Sequence, residues 1–258
     1  MRTFPRANCF RRVVSALRVR SLLATIAALS LPFLLAPAAA QSQTFASETW
    51  VGAEAFHRTW SLYSGVTLAP GASITTEGVR LRAVVGQGQY RTAAQGVGVS
   101  PFVDALAGYQ MHRGALTLKL FAGATGVANI ESRRDLADLW SHTRVGPKLV
   151  LETWWAISPS GWTSLDVSWT GVHDVAYVRS RSGVRLMPAL SLGIEGAMVA
   201  SGNMTSLRAG PLLRYEWVAG EVSVSGGITS DTASMWSGST TPEREPGGYL
   251  TLNWLQRF

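Results

Sequence analysis

The stretch Thr205–Trp217, TSLRAGPLLRYEW, has mostly apolar residues at odd positions (Leu207, Ala209, Leu213, Tyr215, Trp217) and small or charged ones at even positions (Arg208, Gly210, Arg214, Glu216). A period of two is the repeat of a β-strand, whose successive side chains point to opposite faces. The same alternation sets Val79, Leu81, Ala83 and Val85 against Arg80 and Arg82, and Leu116, Leu118 and Leu120 against Thr117 and Lys119. It returns in Leu165, Val167 and Trp169 against Asp166 and Ser168, and in Leu190, Leu192 and Ile194 against Ser191 and Glu195. Together these segments describe one sheet with an apolar face and a polar, partly charged face. After residue 40 no apolar run approaches the ~18 residues that a membrane helix needs.

All 26 glycines lie after residue 40, roughly 12% of that part against a usual value near 7%. That content argues against long helices and for bent, twisted strands. The pattern predicts twelve strands: 48–57, 60–68, 77–90, 101–112, 115–127, 145–157, 162–170, 174–186, 189–199, 204–217, 220–230 and 248–258. If the first strand leaves the periplasm, the periplasmic connections are Ala69–Thr76, Arg113–Gly114, Ser158–Gly161, Met187–Pro188 and Val218–Ala219, four of them tight. The long connections Arg91–Ser100, Ala128–Arg144 and Asp231–Gly247 fall on the other parity, where extracellular loops belong. The expected fold is all-β, a transmembrane antiparallel up-and-down β-barrel of about 12 strands in the bacterial outer membrane, with outer-membrane lipid against its apolar face.

Trp155, Trp162, Tyr215, Trp217 and Phe258 sit near strand ends on the periplasmic side, where an interfacial girdle would place them. The chain ends with Leu250, Leu252, Trp254 and Phe258 in alternation, like the closing strand of outer-membrane barrels, with Gln256 interrupting the register. The start is different in kind. Residues 1–40 hold six arginines, no acid and the single cysteine, Cys9, and the uncharged apolar run Ser21–Ala40 ends in small residues. This reads as a cleaved signal peptide over 1–40, with a barrel over 41–258. Removing the leader turns a formal charge of +7 into 17 basic against 16 acidic residues, so nucleic acid has no electrostatic footing as a partner. No thiol remains for zinc, iron–sulfur clusters, disulfides or nucleophilic catalysis.

Catalytic signatures are sparse. His57, His112, His142 and His173 show no spacing that gathers them around a metal, and they read as exposed or interfacial. No G-x-S-x-G elbow occurs. Gly86–Tyr90 lacks the third glycine and the Lys-Ser/Thr of a phosphate loop and reads as a twist at a strand end. No catalytic residue, cofactor or metal site is therefore expected. Residues 129–142 are expected to form an outer loop containing a short helix.

The polar face is the candidate site. With apolar residues outward, the lumen receives Arg80, Arg82, Lys119, Arg179, Arg181, Arg185, Arg208 and Arg214 together with Glu54, Glu152, Asp166, Glu195, Glu216 and Glu221. These charges either neutralise one another in a plugged lumen or line a polar conduit or saccharide-contacting surface, aided by Trp154 and Tyr177.

Four segments together resemble the cellulose biosynthesis protein BcsS family. They are Gly78–Arg82 leading to Gly86–Tyr90, Leu192–Gly196 leading to Gly202 and Asn203, Arg208–Pro211 through Tyr215–Trp217, and the closing Tyr249–Trp254. The resemblance covers most of the chain after residue 40, through glycine and aromatic patterns rather than catalytic ones. It implies a non-enzymatic outer-membrane accessory of cellulose or exopolysaccharide biosynthesis or export, with polysaccharide and other cellulose-synthesis components as partners. A small porin-like channel and a barrel enzyme acting on envelope lipid or glycan are the alternatives.

Overall fold

Side chains that alternate between two environments need a sheet with two unlike faces, and closing that sheet supplies them. The computed structural model describes residues 46–56, 59–91, 97–131, 142–202, 204–230 and 247–258. Its strands are β1 (Ala46–Phe56), β2 (Trp60–Ala69), β3 (Gly78–Arg91), β4 (Val97–Arg113), β5 (Leu116–Ala128) and β6 (Thr143–Ala156). They continue as β7 (Gly161–Thr170), β8 (Val175–Met187), β9 (Leu190–Ser201), β10 (Met204–Trp217), β11 (Gly220–Thr229) and β12 (Gly247–Arg257). Each strand is antiparallel to its neighbours in the chain, and β1 pairs with β12 to close the barrel. Closure removes the free edges that lipid cannot hydrate.

The seam runs in register from Glu48↔Arg257 to Phe56↔Tyr249. Beyond it, the Phe258 backbone N–H donates to Ser47 O at 2.8 Å and the Ser47 N–H donates to Phe258 O at 3.2 Å. The terminal phenylalanine is thus tied into the first strand. Gln256, which breaks the apolar register, faces outward and accepts a hydrogen bond from the Trp217 indole at 3.1 Å.

Two strands extend into segments that sequence alone assigns to loops. β4 begins at Val97 rather than 101, because Val97–Ser100 stays paired with β3. Val99 also exchanges backbone hydrogen bonds of 2.8 and 2.9 Å with Ile130. A four-residue segment gives little periodicity to read, and its partners are distant in sequence. β6 likewise starts at Thr143. The helix expected within 129–142 falls largely on residues outside the described ones, as does His57.

Gly114–Ala115, Pro188–Ala189 and Val218–Ala219 are two-residue turns at one end, which the rule of short inner turns makes periplasmic. The opposite end carries the long connections but also a tight one at Gly171–Asp174, where His173 and Asp174 adopt positive φ of 59° and 48°. Outward residues such as Val79, Leu120, Ile194, Leu207 and Ile228 are 50–75% exposed, which suits a lipid-facing surface. Tyr109, Trp155, Tyr215 and Phe258 project outward near the periplasmic rim. Trp162 does not join them. It points into the lumen and is only 4% exposed, because its position in β7 shares the inward parity of Ser164 and Asp166.

The glycine content follows from the narrow bore. Five inward aromatic rings lie flat over their direct cross-strand partners: Tyr63 over Gly52, Trp50 over Gly65, Phe102 over Gly86, Phe121 over Gly108 and Trp162 over Gly183. A Cβ on these glycines would stand 2.2 to 2.8 Å from ring atoms. Only the missing side chain lets a large ring lie along the wall instead of across the lumen. Gly86, in the last part of β3, is one of these seats. Tyr63, Val84 and Phe102 form the buried apolar cluster, with Trp50 and Val127 packed against it. Gly52→Ala should lower stability by about 1–3 kcal/mol, read as a lower temperature for loss of the compact form in heat-modifiable gel mobility. Combined with Tyr63→Ala it should cost less than the sum of the two losses; strict additivity would contradict the flat-ring packing.

Candidate functional site

Charges that share the inward parity meet inside the barrel and pair there. Arg82 makes a two-point ion pair with Glu152, with Nη2 donating to Oε2 at 2.9 Å, while its Nε donates to Thr67 at 3.0 Å. Its guanidinium also lies 3.9 Å from the ring centre of Phe121. Lys119 on β5 reaches Glu48 on β1 at 3.1 Å, and Arg257 holds the same carboxylate at 3.3 Å. Lys148 pairs with Asp104 at 2.6 Å. Asp166 is shared by Arg179 at 2.9 Å and Arg181 at 3.4 Å. Glu216 is shared by Arg214 at 2.9 Å and Arg185 at 3.3 Å, and Arg214 also pairs with Glu221. Fixed pairs of this kind offer donors and acceptors in set directions while cancelling net charge.

These groups surround a cavity of about 560 Å³, whose walls hold eight basic and seven acidic side chains. The cavity reaches the periplasmic rim, where Arg185 and Arg257 keep 38% of their side-chain surface exposed. On the outer side its wall includes Glu54 and Tyr177, which hold the guanidinium of Arg208. That guanidinium donates to Glu54 and to the Tyr177 hydroxyl, both at 3.0 Å, and its Nε lies 3.7 Å from Glu195. The rings of Tyr249, Phe56 and Tyr177 surround it at 5.2, 5.8 and 6.0 Å. Arg208 and Glu195 are buried and lie outside the cavity walls.

Arg80 plays a different part from the other candidates. It points inward, yet its donors go to backbone carbonyls of Val79, Ser73, Ile74 and Thr76, and so it clamps the Pro70–Glu77 turn. Gln110 binds the same turn through Ile74 O at 3.2 Å and Thr76 O at 3.1 Å. The histidines are also more engaged than sequence suggests. His112 Nδ1 lies 3.0 Å from the Thr117 hydroxyl on the cavity wall, and His173 Nε2 lies 3.3 Å from the Asn129 amide. Burial, and then the charge of Arg144, lower the His173 pKa below its ordinary value. Among the described residues no three His, Cys, Asp or Glu side chains gather to hold a metal ion.

Glu48, Asp104, Lys148 and Arg257 line the site but escape a search by alternation. In β4, Asp104 lies between inward Phe102 and Leu106 and beside outward Val103 and Ala105, so both faces of the strand are largely apolar there. Its inward parity, matched to Ser100 and Gln110, is the signal that locates it. Arg208→Met would leave Glu54 and Glu195 buried without a cation, at a cost of about 3–5 kcal/mol. In the same gel assay the triple variant Arg208→Met/Glu54→Gln/Glu195→Gln should recover part of that loss. Equal stability of wild type and Arg208→Met would contradict the pairing.

Several solved outer-membrane proteins align with the chain at low identity. The KdgM porin aligns at 8% identity over 82% of this chain and 99% of its own, with a TM-score of 0.48. An outer membrane channel from Pseudomonas putida F1 aligns at 10% identity over 86% and 99%, also at 0.48, and the NanC porin at 8% over 81% and 98%, at 0.44. These likenesses concern fold alone. No curated protein matches the sequence. The sequence profile of the cellulose biosynthesis protein BcsS matches residues 49–258, and the chain, an outer-membrane barrel of cellulose biosynthesis, belongs to that family.

Proposed function

We propose that this barrel serves cellulose production as a non-enzymatic accessory that engages sugar from the periplasm rather than passing polymer through its bore. The observation that supports this reading is the buried Arg208 with its carboxylate and aromatic partners, which we take to close the bore beyond the charged cavity. A twelve-strand ring is narrower than the 16- to 18-strand porins that leave an aqueous channel, so its bore is easily filled by side chains. Outer-membrane lipid is the solvent of the apolar face, and residues 1–40 are the export signal that delivers the chain there.

The channel alternative draws on the same polar cavity, but it needs a continuous aqueous path, and Arg208 with its ring of aromatics supports the closed reading. For the enzyme alternative, every carboxylate named in the cavity is within ion-pair distance of a cation. That arrangement suits binding better than proton transfer, since the cation favours the ionised form.

Deleting the gene should reduce secreted cellulose, measured as acid-insoluble glucan per cell, and a plasmid copy should restore it. Unchanged cellulose would overturn the accessory role. The purified barrel incubated with cello-oligosaccharides and lipopolysaccharide should leave both unaltered by mass spectrometry; turnover of either would establish an enzyme.

A further inference from the structure

Trp154 places a flat apolar ring on the cavity wall among the charges. Trp154 on β6 and Trp162 on β7 stack with ring centres 4.6 Å apart and planes 18° from parallel. The Arg214 guanidinium, coming from β10, lies 4.3 Å from the centre of Trp154 and 5.0 Å from that of Trp162. The three centres form a nearly equilateral triangle. Arg214 and Trp162 therefore occupy the same side of Trp154, since groups on opposite faces of one ring would stand much farther apart. The other face of Trp154 is covered by neither, and the residue lines the cavity.

Two kinds of polar group flank that ring. Arg214 is held by Glu216 and Glu221 on one side, and the Thr117 hydroxyl bonded to His112 stands on the neighbouring strands. Because each of these charges already has an opposite partner, a charged ligand would have to break an ion pair to bind. A neutral molecule rich in hydroxyls would not. A ligand with an apolar face to lie on the indole and hydroxyls around its edge meets both requirements, and a pyranose ring has that shape.

We propose that Trp154 is the stacking platform of a carbohydrate site that takes a neutral β-linked glucan segment from the periplasmic side. This rests on the accessory reading above for the choice of glucan. The binding chemistry itself rests on the geometry.

Cellotetraose titrated into the purified, folded barrel in detergent should give saturable binding by calorimetry and a change in tryptophan fluorescence. Trp154→Ala should weaken binding about tenfold or more, which is about 1.4 kcal/mol, whereas Trp154→Phe should retain most of it. Trp155→Ala, which alters an outward ring, should bind as wild type. Heat-modifiable mobility establishes that each variant is folded. Absence of cellotetraose binding, equal binding by Trp154→Ala, or stronger binding of tetragalacturonate would each overturn the site. A cellulose defect on gene deletion without cellotetraose binding would remove this inference and leave the accessory role; binding without a cellulose defect would do the reverse.

Discussion

Arg208 is the point at which the closed ring and its buried interior charges depend on each other. From β10 its guanidinium meets Glu54 on β1, Tyr177 on β8 and the Tyr249 ring on β12, with Glu195 of β9 nearby. The link to β1 exists only because β1 closes on β12. In turn, the buried carboxylates of Glu54 and Glu195 are tolerable only beside that cation, since a lone buried charge carries a desolvation penalty of several kcal/mol. Closure satisfies the backbone in lipid, and the ionic layer satisfies what closure buries.

The rest of the lumen follows from lack of width. A ring of twelve strands leaves little room, so large aromatic side chains must lie along the wall, and glycines on the neighbouring strand provide their seats. Around Arg208 the inward side chains Glu54, Glu195, Tyr177 and Tyr249 are buried together. Where Arg82, Lys119, Arg179 and Arg214 pair with Glu152, Glu48, Asp166 and Glu221, a polar cavity remains, open to the periplasm. On the proposed reading one barrel contains a plug at Arg208 and a pocket beside it, both built from the same inward parity. Such an asymmetry would suit a protein that engages a ligand from one side.

Much of this was legible in the sequence because the period of two reports facing directly. The alternation around Arg208, Arg214 and Glu216, and around Arg80 and Arg82, predicts inward side chains without any knowledge of partners, and the strands came within a few residues of their bounds. Three kinds of feature were hidden. Pairing between distant strands extended β4 to Val97 with no local signal. Proximity to a strand end made Trp162 look like a girdle residue, although its parity with Asp166 marks it as inward. The role of Arg80 as a clamp on turn carbonyls depends on where the Pro70–Glu77 turn folds, which no spacing encodes. The family resemblance carried the link to cellulose; periodicity carried only the barrel.

The claim on which the account turns is that side chains around Arg208 divide the bore. Its most direct measure is the ionic conductance of the purified barrel in a planar lipid bilayer. Wild-type protein is expected to give no steady conductance. Replacing the layer with small neutral groups, as Arg208→Gly with Glu54→Gln and Glu195→Gln, is expected to give discrete steady openings in protein that still shows heat-modifiable mobility. Steady conductance from the wild type, unchanged by those substitutions, would mean that the bore is continuous and the division at Arg208 is wrong.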